Sequence, residues 1–127
     1  MRYILDTHTA LWFFEESGKL SKTALRIIRD QAIEKRVSIA SAWELAIKIG
    51  TGKLRFEGGM PEFFRVVEKN GFGLLAITAE HVKRLESLPL HHRDPFDRIL
   101  IASAMAENMS LITADGNIQK YDVSWIW

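Results

Sequence analysis

Apolar and polar positions follow two different rhythms along the chain. Short apolar runs, "RYIL" (2–5), "RVSIA" (36–40), "FGLLAI" (72–77) and "SLIT" (110–113), have the length of buried strands. A last extended piece is "DVSWIW". The stretches between them carry apolar residues at helical spacing. "THTALWFFEE" predicts a helix that "SGKLS" interrupts. Ser21 is a good N-cap for "KTALRIIRDQAIEK", whose Leu25, Ile28 and Ala32 share one helix face. Ser41 opens "AWELAIKIG", which Gly50 and Gly52 close. "MPEFFRVVEKNG" predicts another amphipathic helix, Thr78 caps "AEHVKRLESL", and "FDRILIASAMAEN" follows the loop at 89–95.

Strands alternating with helices over 127 residues predict one domain, residues 1–127, with helices on both faces of a mostly parallel sheet. Open sheets of this kind bind ligands beyond the carboxyl ends of their strands. Asp6 follows the first predicted strand and Glu44 stands one turn into the helix after the second. Asp115 follows the fourth strand, in "ADG", and Asp97 lies one turn into the helix that feeds it.

Each acid also has a structural reading. "SAWE" (41–44) has the form of a capping box, with Ser41 as N-cap and Glu44 reaching back. In "DPFD" (94–97), Asp94 is an N-cap, Pro95 sits at N1, and Asp97 meets the positive end of the helix dipole. "TADG" (113–116) suits a turn. Asp6 has no such role in the sequence: it opens no strong capping box and sits in no turn pair. Carboxylates gathered at one sheet edge repel one another unless a cation joins them or their pKa values rise. Oxygen-only ligation suits a hard divalent ion, Mg²⁺ or Mn²⁺.

Composition narrows the chemistry. The chain has no cysteine, which removes disulfides, thiolate zinc sites and cysteine nucleophiles. Seventeen basic residues against sixteen acidic ones exclude a strongly basic nucleic-acid coat but leave room for a local basic rim. The apolar run before Glu15 and Glu16 is too short for a signal peptide, and no segment has the length of a membrane span, so a cytoplasmic location is expected.

"YILDTHTALWF", "SIASAWELAIKIGTGKL", "LPLHHRDPFDRILIASAMAENMSLITAD" and the closing "YDV" together resemble PIN-domain ribonucleases, in particular VapC-type toxins of toxin–antitoxin pairs. "HRDPFDRILIA" is the most specific piece. The resemblance implies a three-layer α/β/α PIN-like domain and endonucleolytic hydrolysis of RNA leaving a 5′-phosphate. It makes Asp6, Glu44, Asp97 and Asp115 the catalytic and metal-binding acids, with Asp6 and Asp97 expected on the tighter ion. It places Thr7 and Thr113 as orienting hydroxyls. It further implies a homodimer and a cognate antitoxin laid in a groove that part of "LWFF", Trp43 and "WIW" would line; otherwise these aromatics are core.

Arg93, Arg98, His91, His92, Lys48, Lys53 and Arg55 cluster in sequence around the second and third acidic motifs and are candidates for RNA phosphate contacts. His8, His91 and His92 match no common zinc spacing and read as RNA-facing or structural. A receiver-type signalling domain would need tandem acids after the first strand and a late Lys-Pro. A haloacid-dehalogenase-like phosphatase would need Asp-x-Asp where "DTH" stands. Neither pattern is present. The alternative that survives is a non-catalytic PIN-like binding or scaffold module.

Overall fold

A computed structural model describes residues 1–127. Five strands alternate with six helices: β1 (Arg2–Leu5), α1 (Thr7–Phe14), α2 (Lys22–Arg29), β2 (Glu34–Ser38), α3 (Ile39–Gly50), α4 (Gly59–Lys69), β3 (Gly73–Leu75), α5 (Ala79–Glu86), α6 (Pro95–Glu107), β4 (Ser110–Ile112) and β5 (Trp125–Ile126). All strand pairs are parallel, in the order β3-β2-β1-β4-β5. The predicted α/β class is the observed one.

Because side chains alternate across a strand, the sheet feeds two cores. Tyr3 and Leu5 of β1, Val37 of β2 and Ile112 of β4 pack with Leu11, Ile28, Leu45 and Phe63. Ile4 and Leu111 point the other way, to Ile99, Leu100, Ile101 and Ile118. Helices thus cover both faces, as a parallel sheet requires.

The strand order reverses at β1. From β1 the chain moves to β2 on one side, and β4 later inserts on the other, with Leu5 beside Ile112. The carboxyl ends of β1 and β4 therefore flank a switch-point crevice, the usual ligand position in open parallel sheets.

Several predicted boundaries move, β2 among them, which spans Glu34–Ser38 in place of 36–40, and three shifts have a clear physical cause. α2 stops at Arg29, six residues short of its predicted end, because Asp30 Oδ1 accepts the Ala32 amide (2.9 Å) and turns the chain. Lys35, predicted as the end of that helix, is instead the second residue of β2, and its side chain folds back. Its ammonium donates to the carbonyls of Ile27 (3.3 Å), Ile28 (2.8 Å) and Asp30 at the end of α2. Burial pushes the Lys35 pKa down. Lys35→Met keeps the stem and strips the ammonium from these carbonyls, so a loss of about 2 kcal/mol in thermal unfolding is expected.

The second shift concerns α3, whose N-cap is Ser38, not Ser41: Ser38 Oγ accepts from the Ala40 amide (3.0 Å). The predicted capping box at 41–44 does not form, and Ser41 and Glu44 are freed for other contacts. α3 ends as expected, in a turn where Gly52 takes a φ of +75°. Third, β3 is only Gly73–Leu75, half the predicted run, because it pairs with β2 alone at the sheet edge. No helix is long and apolar enough to cross a membrane.

A candidate metal centre at the carboxyl edge of the sheet

Asp6 leaves β1 and becomes the N-cap of α1, the capping role absent from the sequence reading. Its Oδ1 accepts the Thr9 amide (2.8 Å) and its Oδ2 accepts the Thr113 hydroxyl from the end of β4. Only 4% of Asp6 is exposed, and this burial raises its pKa despite the hydrogen bonds that oppose the shift. Thr113 Oγ1 also accepts the Asp115 amide (3.0 Å), and Asp115 Oδ1 accepts the Asn117 amide (2.8 Å). The predicted turn at 113–116 and the predicted site residue are thus one structure. Asp6, His8, Trp12, Ala114 and Asp115 line a cavity of about 200 Å³.

Glu44 is buried on α3. Thr7 Oγ1 donates to its Oε1 (2.8 Å) and lies 2.9 Å from Ser41 Oγ, while Lys48 Nζ donates to Glu44 Oε2 (2.9 Å). Thr7 is the residue after Asp6, so one hydrogen bond and one step of the chain tie the first acid to the second.

Asp94 caps α6 through the amides of Phe96 (2.9 Å) and Asp97 (3.0 Å), with Pro95 at the first helical position, as predicted. Asp97 in that first turn meets His92 Nε2 at 3.0 Å. Its pKa is pushed up to about 6, chiefly by desolvation, with the charges of Asp94 and Asp115 adding to the rise and the His92 hydrogen bond opposing it. Asp115 thus stands within charge–charge reach of Asp97 while sharing a cavity with Asp6.

The PIN-domain family profile matches residues 3–124. The chain belongs to the PIN-domain family. None of the curated proteins matches it in sequence. Among solved structures its fold resembles a chain of VapBC2 from Rickettsia felis bound to a DNA fragment from their promoter (TM-score 0.75, 14% identity, covering 100% of this chain and 99% of that one). It also resembles a chain of VapBC-1 from nontypeable Haemophilus influenzae (TM-score 0.71, 17% identity, covering 99% and 97%). A third likeness is to a toxin–antitoxin complex from Klebsiella pneumoniae (TM-score 0.66, 16% identity, covering 98% and 96%).

As they stand, no three Asp, Glu or His side chains of this PIN domain converge closely enough to hold one ion. Each acid instead has a donor from its own chain: Thr9 and Thr113 on Asp6, Thr7 and Lys48 on Glu44, His92 on Asp97, Asn117 on Asp115. The donor set nevertheless suits a hard divalent cation: it is all oxygen, and Asp6 and Asp97 are desolvated beyond what their donors offset.

The basic candidates divide. Lys48 and His92 touch acids directly. Arg98 does not face solvent freely: its Nη1 donates to Pro89 O and to Tyr121 Oη, both at 2.8 Å. Arg93, Lys53 and Arg55 are exposed and make no side-chain hydrogen bond or ion pair, and His91 is exposed with its ring edge-on to Tyr121. The residue missing from the sequence reading is Tyr121. Its hydroxyl lies 2.9 Å from His92 Nδ1, the nitrogen opposite the Nε2 that meets Asp97 at 3.0 Å, and so holds the ring in place. Only the quoted "YDV" pointed to it, and nothing in that string assigns a role.

The raised pKa of Asp97 carries a pH signature. Folding holds this proton to about pH 6, whereas the unfolded chain releases it near 3.8, so this group favours folding most at low pH and that contribution is lost as pH rises through 6. In metal-free protein, Asp97→Asn should raise stability by about 1 kcal/mol near pH 8 and change it little near pH 4. Paired thermal melts in EDTA at the two pH values would show it; equal differences at both would refute it.

Proposed function

We propose that this PIN domain is a metal-dependent endoribonuclease of the VapC toxin type, restrained by a cognate protein antitoxin. The observation that carries the reading is the crevice between β1 and β4, where Asp6 and Asp115 share a cavity and Asp115 also acts on Asp97. Family membership and the folds shared with chains of VapBC complexes support it.

Asp6, Glu44, Asp97 and Asp115 would hold Mg²⁺ or Mn²⁺, which when bound supplies Lewis acidity and an activated water for phosphodiester hydrolysis. The chain's own residues prepare the place. The Thr9 amide and Thr113 hydroxyl fix both oxygens of Asp6, and Thr7 fixes one oxygen of Glu44. Lys48 pairs with Glu44 and His92 hydrogen-bonds Asp97, and both must swing aside for those acids to take a cation. Once released, the Lys48 ammonium is free to meet a substrate phosphate. Exposed Arg93 extends the same positive rim. A homodimer would set two such clefts in one assembly.

The self-satisfied acids favour a second reading, a PIN-like binding module that cuts nothing. A cleavage assay on a cellular RNA pool, in Mg²⁺, Mn²⁺ or EDTA and with Asp97→Asn as control, separates the two. Discrete fragments that need metal and vanish in the variant establish the nuclease. Intact RNA in every lane, with no Mn²⁺ heat in calorimetry, establishes the binding module.

A further inference from the structure

The cavity beside Asp6 and Asp115 has a second wall that the hydrolytic reading leaves unused. His8 and Trp12 stand one turn apart on α1, the helix that Asp6 caps, and so share one face of it. Their rings are 5.9 Å apart, tilted by 39°. Trp12 is itself held from other sides, with Trp127 edge-on at 5.9 Å and the Lys19 ammonium 5.6 Å from its ring centre. His8 is exposed, and its ring nitrogens make no hydrogen bond within the chain. An unpaired ring, backed by a fixed indole, thus looks into a cavity whose other walls are Asp6, Ala114 and Asp115.

We propose that His8, backed by Trp12, is a stacking platform that seats one base of the RNA strand beside the acidic crevice. This deepens the nuclease reading and rests on it. The acids occupy one side of the cavity and are left to the cation, whereas on the His8 and Trp12 side a neutral, flat base meets an aromatic wall. The short Ala114 side chain keeps the opposite side open. Single-stranded RNA is held by stacking of splayed bases on aromatic and histidine rings. Every base has a π-face, so such a contact positions the strand while tolerating its sequence. Because His8 rides on the helix that Asp6 starts, the seated base and the first acid keep a fixed separation. That fixes which phosphodiester lies over the acids.

The test uses the full chain and two labelled probes, a random pool of single-stranded RNA octamers and base-free ribose-phosphate octamers. Binding is read by anisotropy at one salt concentration with Ca²⁺ present and the RNA checked for integrity. Wild type should prefer the based octamers by roughly tenfold or more. His8→Ala should bring the two affinities together, and His8→Phe, which stacks but ligates nothing, should keep the preference. Mn²⁺ binding by calorimetry should be equal in all three proteins. The platform is overturned if His8→Ala retains the preference, if His8→Phe loses it as fully as His8→Ala, or if His8→Ala alone loses Mn²⁺. Wild type that neither binds RNA here nor cuts it in the metal assay overturns the nuclease reading, and this inference falls with it. Wild type that cuts RNA while His8→Ala keeps its base preference overturns the platform alone.

Discussion

Asp6→Asn is expected to give a folded protein whose RNA cleavage falls by roughly three orders of magnitude, about 4 kcal/mol of lost transition-state stabilisation. The substitution separates the two tasks of this side chain. As an N-cap, Asn is as good as Asp, and its carbonyl oxygen still accepts the Thr9 amide now at 2.8 Å from Asp6. Facing Thr113, the new amide donates where the carboxylate accepted, and the hydroxyl turns to receive it. What disappears is a buried negative charge whose pKa burial has already raised. Thermal stability without metal should therefore be unchanged or slightly higher, while the proposed metal site loses one of its four acids. Asp6→Ala would confuse these effects, since losing the cap alone costs about 1 kcal/mol. Single-turnover cleavage beside a thermal melt decides the matter. Undiminished cleavage by Asp6→Asn would remove Asp6 from the chemistry.

The largest loss of stability is expected at Phe63. This α4 ring is 0% exposed and meets three others edge-on: Phe14 at 5.6 Å, Phe56 at 5.8 Å and Phe64 at 5.8 Å. Phe63→Ala should cost about 3–5 kcal/mol, through lost burial, a cavity and the broken edge-to-face pairs. For a domain of this size that is a fall in Tm of roughly 10–20 °C. Phe14 belongs to α1, so the same packing holds the helix that begins at Asp6 and carries His8. Phe64→Ala is the control: its ring is 37% exposed, and its loss should matter far less. Equal effects at the two positions would show that the aromatic cluster does not anchor α4.

The alternation of strands and helices was legible because buried strands and amphipathic helices have different periods. The α/β class, the Asp94 cap and the position of Asp6 and Asp115 beyond their strands all followed from it. Boundaries were harder where a side chain reaches across the fold. Local pattern favoured a helix through Lys35, but Asp30 turns the chain and the Lys35 ammonium seals the end of α2 from a strand. Ser41 reads as the cap because Ser38 falls inside the predicted strand 36–40; in the fold β2 ends at Ser38, which caps α3, and Ser41 packs on Thr7. The site was legible as a set of acids but not as a set of contacts. Asp6 to Thr113, Thr7 to Glu44 and His92 to Tyr121 join residues far apart in the chain, and no spacing rule reaches that far.

The central place of β1 also sets when the crevice can exist. Asp6 lies near the start of the chain, but its Thr113 partner and its neighbour Asp115 arrive only with β4, which docks on β1 from residue 110 onward. Synthesis delivers residues in order, at roughly 5–20 per second, and parallel pairing of distant strands is slow to form. A nascent chain therefore carries Asp6 and Glu44 out of the ribosome well before it can close the crevice around them. If this domain cuts RNA, its topology spares the ribosome making it and the message encoding it until β4 has been made and has docked on β1.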